Sequence, residues 1–118
     1  MHEFSLALSV INYIEEVSKK MKLKKITSIH IEIGEFTHIN PLQFRFCFKI
    51  LSKGTILENS RLYIRKIKPT FLCKNCKRKI KKDIKEIMEL QMKCPYCKGD
   101  IELEEGKELL VKKIKGIR

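Results

Sequence analysis

Between positions 4 and 21 the apolar residues Phe4, Ala7, Leu8, Ile11, Ile14, Val17 and Met21 recur at spacings of three or four, with Asn12, Glu15, Glu16, Lys19 and Lys20 on the other side. That period predicts an amphipathic helix. Glu15 with Lys19 and Glu16 with Lys20 add i,i+4 pairs in the favourable order, each contributing a few tenths of a kcal/mol. After the basic turn Lys22–Lys25 the period changes. Ile29, Ile31 and Ile33 alternate with Ser28, His30 and Glu32, as in a strand with one buried face, which points His30 away from the core. Asn40-Pro41 reads as an N-cap followed by proline at the first helical position, and Phe44, Cys47, Phe48 and Leu51 form the apolar stripe of a second helix ending near Gly54.

Further strands are expected at Arg61–Lys68 and Glu108–Lys115, with a cysteine-bearing segment between them bounded by Pro69, Gly99 and Gly106. The predicted fold is α+β: two helices packed on a small three-stranded sheet, with an inserted four-cysteine module. Residues 1–68 plus 101–118 are expected to form the helix–sheet domain and residues 69–100 the module. Strand–helix–strand favours a parallel, right-handed crossover, and a module that leaves and re-enters beside one sheet favours antiparallel pairing of its two flanking strands.

The chain has 118 residues, 43 % apolar and 34 % charged, enough for one modest core. Its apolar runs fall well short of the roughly 18 residues of a transmembrane helix, and the opening MHEFSLALSV has Glu3 where a signal peptide would be basic. A cytoplasmic protein with no membrane partner is expected. The formal net charge of +12 makes an anionic partner plausible, but four zinc-bound thiolates would lower it to about +10.

Cys73-Lys-Asn-Cys76, seventeen residues, then Cys94-Pro-Tyr-Cys97 gives C-x2-C-x17-C-x2-C, the spacing of a zinc ribbon. Two residues between ligands let one tight turn aim both sulfurs at one ion. Four thiolates close the tetrahedral shell, so the expected role of Zn(II) at Cys73, Cys76, Cys94 and Cys97 is structural. Rubredoxin-like iron and redox-active cysteine pairs are the other readings. Lys77, Arg78, Lys79, Lys81, Lys82, Lys85 and Lys93 outnumber Asp83, Glu86 and Glu89 between the pairs. They could form a nucleic-acid surface, but solvation of an exposed loop and offset of thiolate charge is the favoured explanation. Tyr96 is the only aromatic after Phe71, poor material for base stacking. Cys47, on a helical apolar stripe, is expected to be a buried thiol, and His38 a polar loop residue.

Met1-His2-Glu3 places an imidazole beside a free α-amine. The amine of Met1, the deprotonated amide of His2 and its own Nδ1 can form fused five- and six-membered chelate rings, and the amide of Glu3 could complete a planar set of nitrogens suited to Ni(II) or Cu(II). An isolated His2 is otherwise simply part of a fraying terminus.

Taken together, Met1-His2-Glu3-x-Ser5-x-Ala7 leading into a helix, Glu32-Ile-Gly34-Glu35, Gly54-Thr55 before a strand, the paired C-x-x-C units and Gly106-Lys-Glu108-Leu109 resemble the HypA family of hydrogenase-maturation nickel metallochaperones. The resemblance implies that Met1, His2 and Glu3 bind Ni(II), that the four cysteines hold structural Zn(II), and that nickel passes to the [NiFe] hydrogenase large subunit in concert with the GTPase HypB. The ribbon carries no histidine, so the zinc module can lend no imidazole to nickel. A basic zinc-ribbon protein that binds nucleic acid is the alternative function, and a thiol–disulfide oxidoreductase a third. With no phosphate loop, no nucleophile paired with a base and no open metal shell, no enzymatic activity is expected.

Overall fold

The computed structural model describes residues 2–118. The chain runs α1 (His2–Met21), β1 (Lys25–Gly34), a 3-10 turn (Glu35–Thr37), α2 (Pro41–Ser52), β2 (Arg61–Ile67), β3 (Thr70–Cys73), β4 (Lys79–Lys81), α3 (Ile84–Glu89), β5 (Ile101–Glu105) and β6 (Leu109–Ile117). The strands form two three-stranded sheets, ordered β2-β1-β6 and β4-β3-β5. No helix among the described residues is long and apolar enough to cross a membrane.

Two compact units emerge. The first takes in the chain up to Ile31 together with Ile39–Arg65 and Leu110–Arg118. Here α1 packs on α2, and Ala7, Val10, Ile11 and Ile14 are buried along with Ile26, Ile29, Ile31, Phe44, Cys47, Phe48 and Leu57. Asn40 caps α2 as expected, its side-chain oxygen accepting from the Leu42 and Gln43 amides at 3.0 and 3.2 Å, with Pro41 at the first helical position. Ile26 N–H donates to the Ile56 carbonyl, and His30 stacks on Tyr63 at 4.7 Å, so contacts advance in the same sense along both segments, as a parallel crossover requires. The other edge is antiparallel: Lys24 N–H donates to the Ile117 carbonyl and the Thr27 hydroxyl to that of Lys115. The expected pairing of the two strands flanking the module is therefore incorrect. β1 lies between β2 and β6, because the returning strand pairs with the strand that buries Ile26, Ile29, Ile31 and Ile33.

The buried face of α1 is also rotated from the expected stripe. Phe4, Leu8 and Met21 are exposed, whereas Val10 and Ser18 are buried. The Ser18 hydroxyl donates to the Ile14 carbonyl at 2.6 Å, which removes the cost of placing it inside.

The second unit comprises Glu32–His38 and Lys66–Leu109. β3 pairs antiparallel with β4 (Phe71 opposite Ile80) and with β5 (Cys73 opposite Ile101), with a register shift between Thr70 and Phe71. Its core is small: Phe71, Ile80, Ile87 and Ile101 with Cys73 and Cys94, flanked by Phe36, Cys76, Cys97 and Leu103. Phe36 meets Phe71 edge-on at 5.7 Å. Gly34 is held here by close backbone approach. Its N–H donates to the Glu108 carbonyl at 3.0 Å, and a Cβ on it would lie 2.1 Å from the Gly106 carbonyl oxygen. Only main chain is there to give way, so Gly34→Ala is expected to lower stability by about 2–4 kcal/mol. Urea unfolding should show the loss as a shifted midpoint.

Candidate metal centre

The two cysteine pairs fold into matching turns. After each pair a lysine, Lys77 or Lys98, takes a left-handed conformation with φ 63°. The Lys77 amide donates to the Cys73 carbonyl and the Lys98 amide to that of Cys94. The Cys73 amide in turn donates to the Arg78 carbonyl, and the Cys94 amide to that of Gly99. Each pair thus closes on itself and presents both sulfurs inward.

The Sγ atoms of Cys73, Cys76, Cys94 and Cys97 all lie within 4.8 Å of one another, with Cys73 to Cys97 at 3.4 Å and Cys76 to Cys94 at 3.8 Å. A tetrahedral centre with metal–sulfur bonds of about 2.3 Å places its sulfurs about 3.8 Å apart. The residues fit a four-thiolate metal site.

Backbone and side-chain donors surround the sulfurs. The Cys76 amide points at Cys73 Sγ, Tyr96 at Cys94 and Gly99 at Cys97, each at 3.4 Å. Asn75 reaches from the first pair to the second, its Nδ2 lying 3.6 Å from Cys97 Sγ. The Asn75 amide, with the Gly99 N–H, draws the Cys97 thiol down to about 6. The Arg78 N–H also draws Cys76 down, but burial and hydrogen bonding among the clustered sulfurs prevail and push it up to about 11. Four sulfurs this close resist sharing four negative charges, and a divalent cation removes that conflict. Gly99 is required because a Cβ there would lie 2.9 Å from Asn75 Cβ.

Asn75 escaped the sequence reading, although its place inside the first C-x-x-C was the available signal. Removing its amide (Asn75→Ala) lets the Cys97 pKa rise. Protons then compete with metal at higher pH, so the midpoint of acid-induced metal release, followed with a chromogenic chelator, should move upward. Arg78 was likewise read only as a charge. Its guanidinium lies 4.5 Å from the centroid of the Tyr96 ring, adding a cation–π contact of about 0.5–2 kcal/mol between the two turns.

Several basic residues of the unit are paired. Lys74 meets Glu102 at 3.8 Å, Lys79 meets Glu104 at 3.2 Å and Lys82 meets Glu86 at 3.4 Å, while Lys93 bridges to Asp100. Those pairings favour the solvated-loop reading of the lysines over a nucleic-acid surface.

The amino-terminal candidates lie on α1. Met1 falls outside the described residues. His2, the first residue of the helix, is exposed and borders a shallow depression with Ser5, Leu6 and Ser9. The Glu3 carboxylate accepts from the Asn40 N–H at 3.2 Å, which holds it below the usual carboxylate range.

A family profile described as hydrogenase/urease nickel incorporation, metallochaperone, HypA matches residues 1–116. The chain belongs to the HypA family. HypA proteins are nickel metallochaperones of [NiFe] hydrogenase maturation, carriers of metal rather than catalysts, and that is the class of this chain. It is 36 % identical over 117 residues to the hydrogenase maturation factor HypA of Methanococcus aeolicus, covering 95 % of this chain and 94 % of that one. It is 35 % identical over 118 residues to the HypA of Methanocaldococcus jannaschii, with coverage of 95 % and 94 %. The fold matches the solution structure of the Ni metallochaperone HypA from Helicobacter pylori with a TM-score of 0.72, covering 98 % of this chain and 97 % of that one at 22 % identity.

Proposed function

We propose that this HypA chain takes up Ni(II) through Met1, His2 and Glu3 and delivers it to the [NiFe] hydrogenase large subunit in concert with a HypB-type GTPase. Cys73, Cys76, Cys94 and Cys97 hold a structural Zn(II). The work is divided, with nickel carried by the helix–sheet part and zinc keeping the cysteine module folded. Bound zinc would supply positive charge and a fixed tetrahedral anchor, and the closed set of thiolates leaves it no position for a substrate.

The observation that carries the nickel assignment is the start of α1. The first four N–H groups of a helix have no intrahelical acceptor, so the amides of His2 and Glu3 are not committed to the helix ladder. The positive end of the helix dipole favours their deprotonation. The Glu3 carboxylate is meanwhile occupied by Asn40, which leaves that residue's amide nitrogen as its donor. The Met1 amine and the exposed His2 imidazole complete a nitrogen set suited to Ni(II). The exposure of His2 gives incoming ligands access for exchange.

Calorimetry with nickel, run on protein with an unmodified amino terminus beside His2→Ala, tests this. The variant is expected to lose specific nickel binding and keep its zinc. Equal nickel affinity in both would refute it.

A further inference from the structure

α2 carries a second apolar stripe besides the buried one. Leu42, Phe46 and Ile50 follow one another at i, i+4 and i+8 and are 78 %, 66 % and 46 % exposed. They form a continuous ridge about 12 Å long on the solvent side of the helix. Single exposed apolar residues are ordinary. Three large ones in register, on a helix whose opposite face already fills the core, are not.

A second row runs beside the first. Arg45, Lys49 and Lys53 repeat at the same spacing, three positions later, and line one wall of a cleft of about 450 Å³ in the first unit. Arg61 borders the same cleft, which is floored by apolar side chains including Phe48, Leu57 and Leu62. The Arg45 guanidinium donates to the Leu62 carbonyl, which holds its charge at the rim. Glu58 is the only acid lining the cleft among the described residues, and its carboxylate accepts from the Gly54 amide. Lys49, Lys53 and Arg61 have no carboxylate partner among the described residues.

We infer that the outer face of α2 and its adjoining cleft form a docking surface for an acidic amphipathic helix of a partner protein. The ridge would receive the partner's apolar stripe, and the basic row its carboxylates, in the mode by which amphipathic helices dock through anchors at helical spacing. Charge chooses the occupant. A second copy of this chain would bring Arg45, Lys49 and Lys53 against their own equivalents in a protein of net charge +12, whereas an acidic helix meets opposite charge along the whole row. The inference does not depend on which residues bind nickel.

The test is fluorescence anisotropy of a labelled synthetic helix with leucines on one face and glutamates on the other, titrated with the whole protein at about 0.15 M salt. Saturable binding is expected. Leu42→Ser combined with Phe46→Ser should weaken it about tenfold, and Lys49→Glu combined with Arg61→Glu by at least as much. Both pairs are exposed, and circular dichroism verifies that the variants remain folded. Lys112→Glu with Lys113→Glu, on β6, changes the net charge equally and should alter affinity by no more than about twofold. A peptide with lysine in place of glutamate should not bind. Absence of saturable binding, an equal loss in the β6 control, or equal binding of the lysine peptide would overturn the proposal. So would a concentration-dependent dimer in sedimentation that disappears with Phe46→Ser, which would assign the face to self-association.

Discussion

Cys76→Ala is expected to release the metal proposed for the four-cysteine site and to melt the small sheet while leaving the α1–α2 pair helical. The second unit has little else to hold it: four aliphatic or aromatic side chains and two cysteines form its buried cluster. That is too little apolar surface to offset the ordering of its backbone. Structural zinc contributes on the order of 10 kcal/mol of apparent folding energy in such modules, and three thiolates cannot reproduce the closed shell of four. The prediction is read in three ways. Zinc per chain falls to background, amide protection is lost across β3, β4 and β5, and protection persists in α1 and α2. A variant that stays folded and zinc-loaded would show that the metal is not what stabilises the module.

The second large effect lies at the other end. One additional residue before Met1 moves the α-amine away from the His2 imidazole and turns the Met1 nitrogen into an ordinary amide. The fused chelate rings can no longer close on the same atoms. Nickel affinity is expected to fall on the order of 100-fold or more, with loss of the absorbance of planar Ni(II), while zinc content and the circular dichroism spectrum stay unchanged. His2→Ala should behave in the same way, because it removes the imidazole and keeps the amine. If the extended protein binds nickel as tightly as the parent, the amine is not a ligand and the site lies elsewhere.

How much of this was legible in the sequence depends on which force shapes each element. The helices and strands of the first unit follow hydrophobic period, and their positions were readable within a few residues. Asn40-Pro41 announced the start of α2 through backbone chemistry that acts locally. The rotation of α1 was not readable, since Ser18 looks polar until its hydroxyl finds the Ile14 carbonyl. β3, β4, α3 and β5 escaped for a different reason. They are short, and their order comes from sulfur-directed turns rather than from apolar alternation. The cysteine spacing pointed to the four sulfurs that cluster in the structure but not to Asn75, whose role depends on a contact across 22 positions. The ridge on α2 escaped because apolar residues were assigned to a single face. Phe44, Cys47 and Phe48 are buried, but Leu42, Phe46 and Ile50 are not.

Gly34, Gly106 and Pro69 crowd together within the second unit, for a Cβ on Gly106 would also come within 2.7 Å of Pro69 Cα. The two ends of the stretch from Pro69 to Gly106 are therefore held side by side. Once these ends have met, β2 and β6 are joined by an effective loop of a few residues instead of by the whole of Lys66–Leu109. Shortening a loop by about tenfold saves about 2 kcal/mol of closure entropy, so early assembly of the metal-bearing segment would speed the pairing of β6 with β1. With the ion proposed for the four cysteines in place, its supply during synthesis is expected to set the order in which the chain folds as well as its final stability.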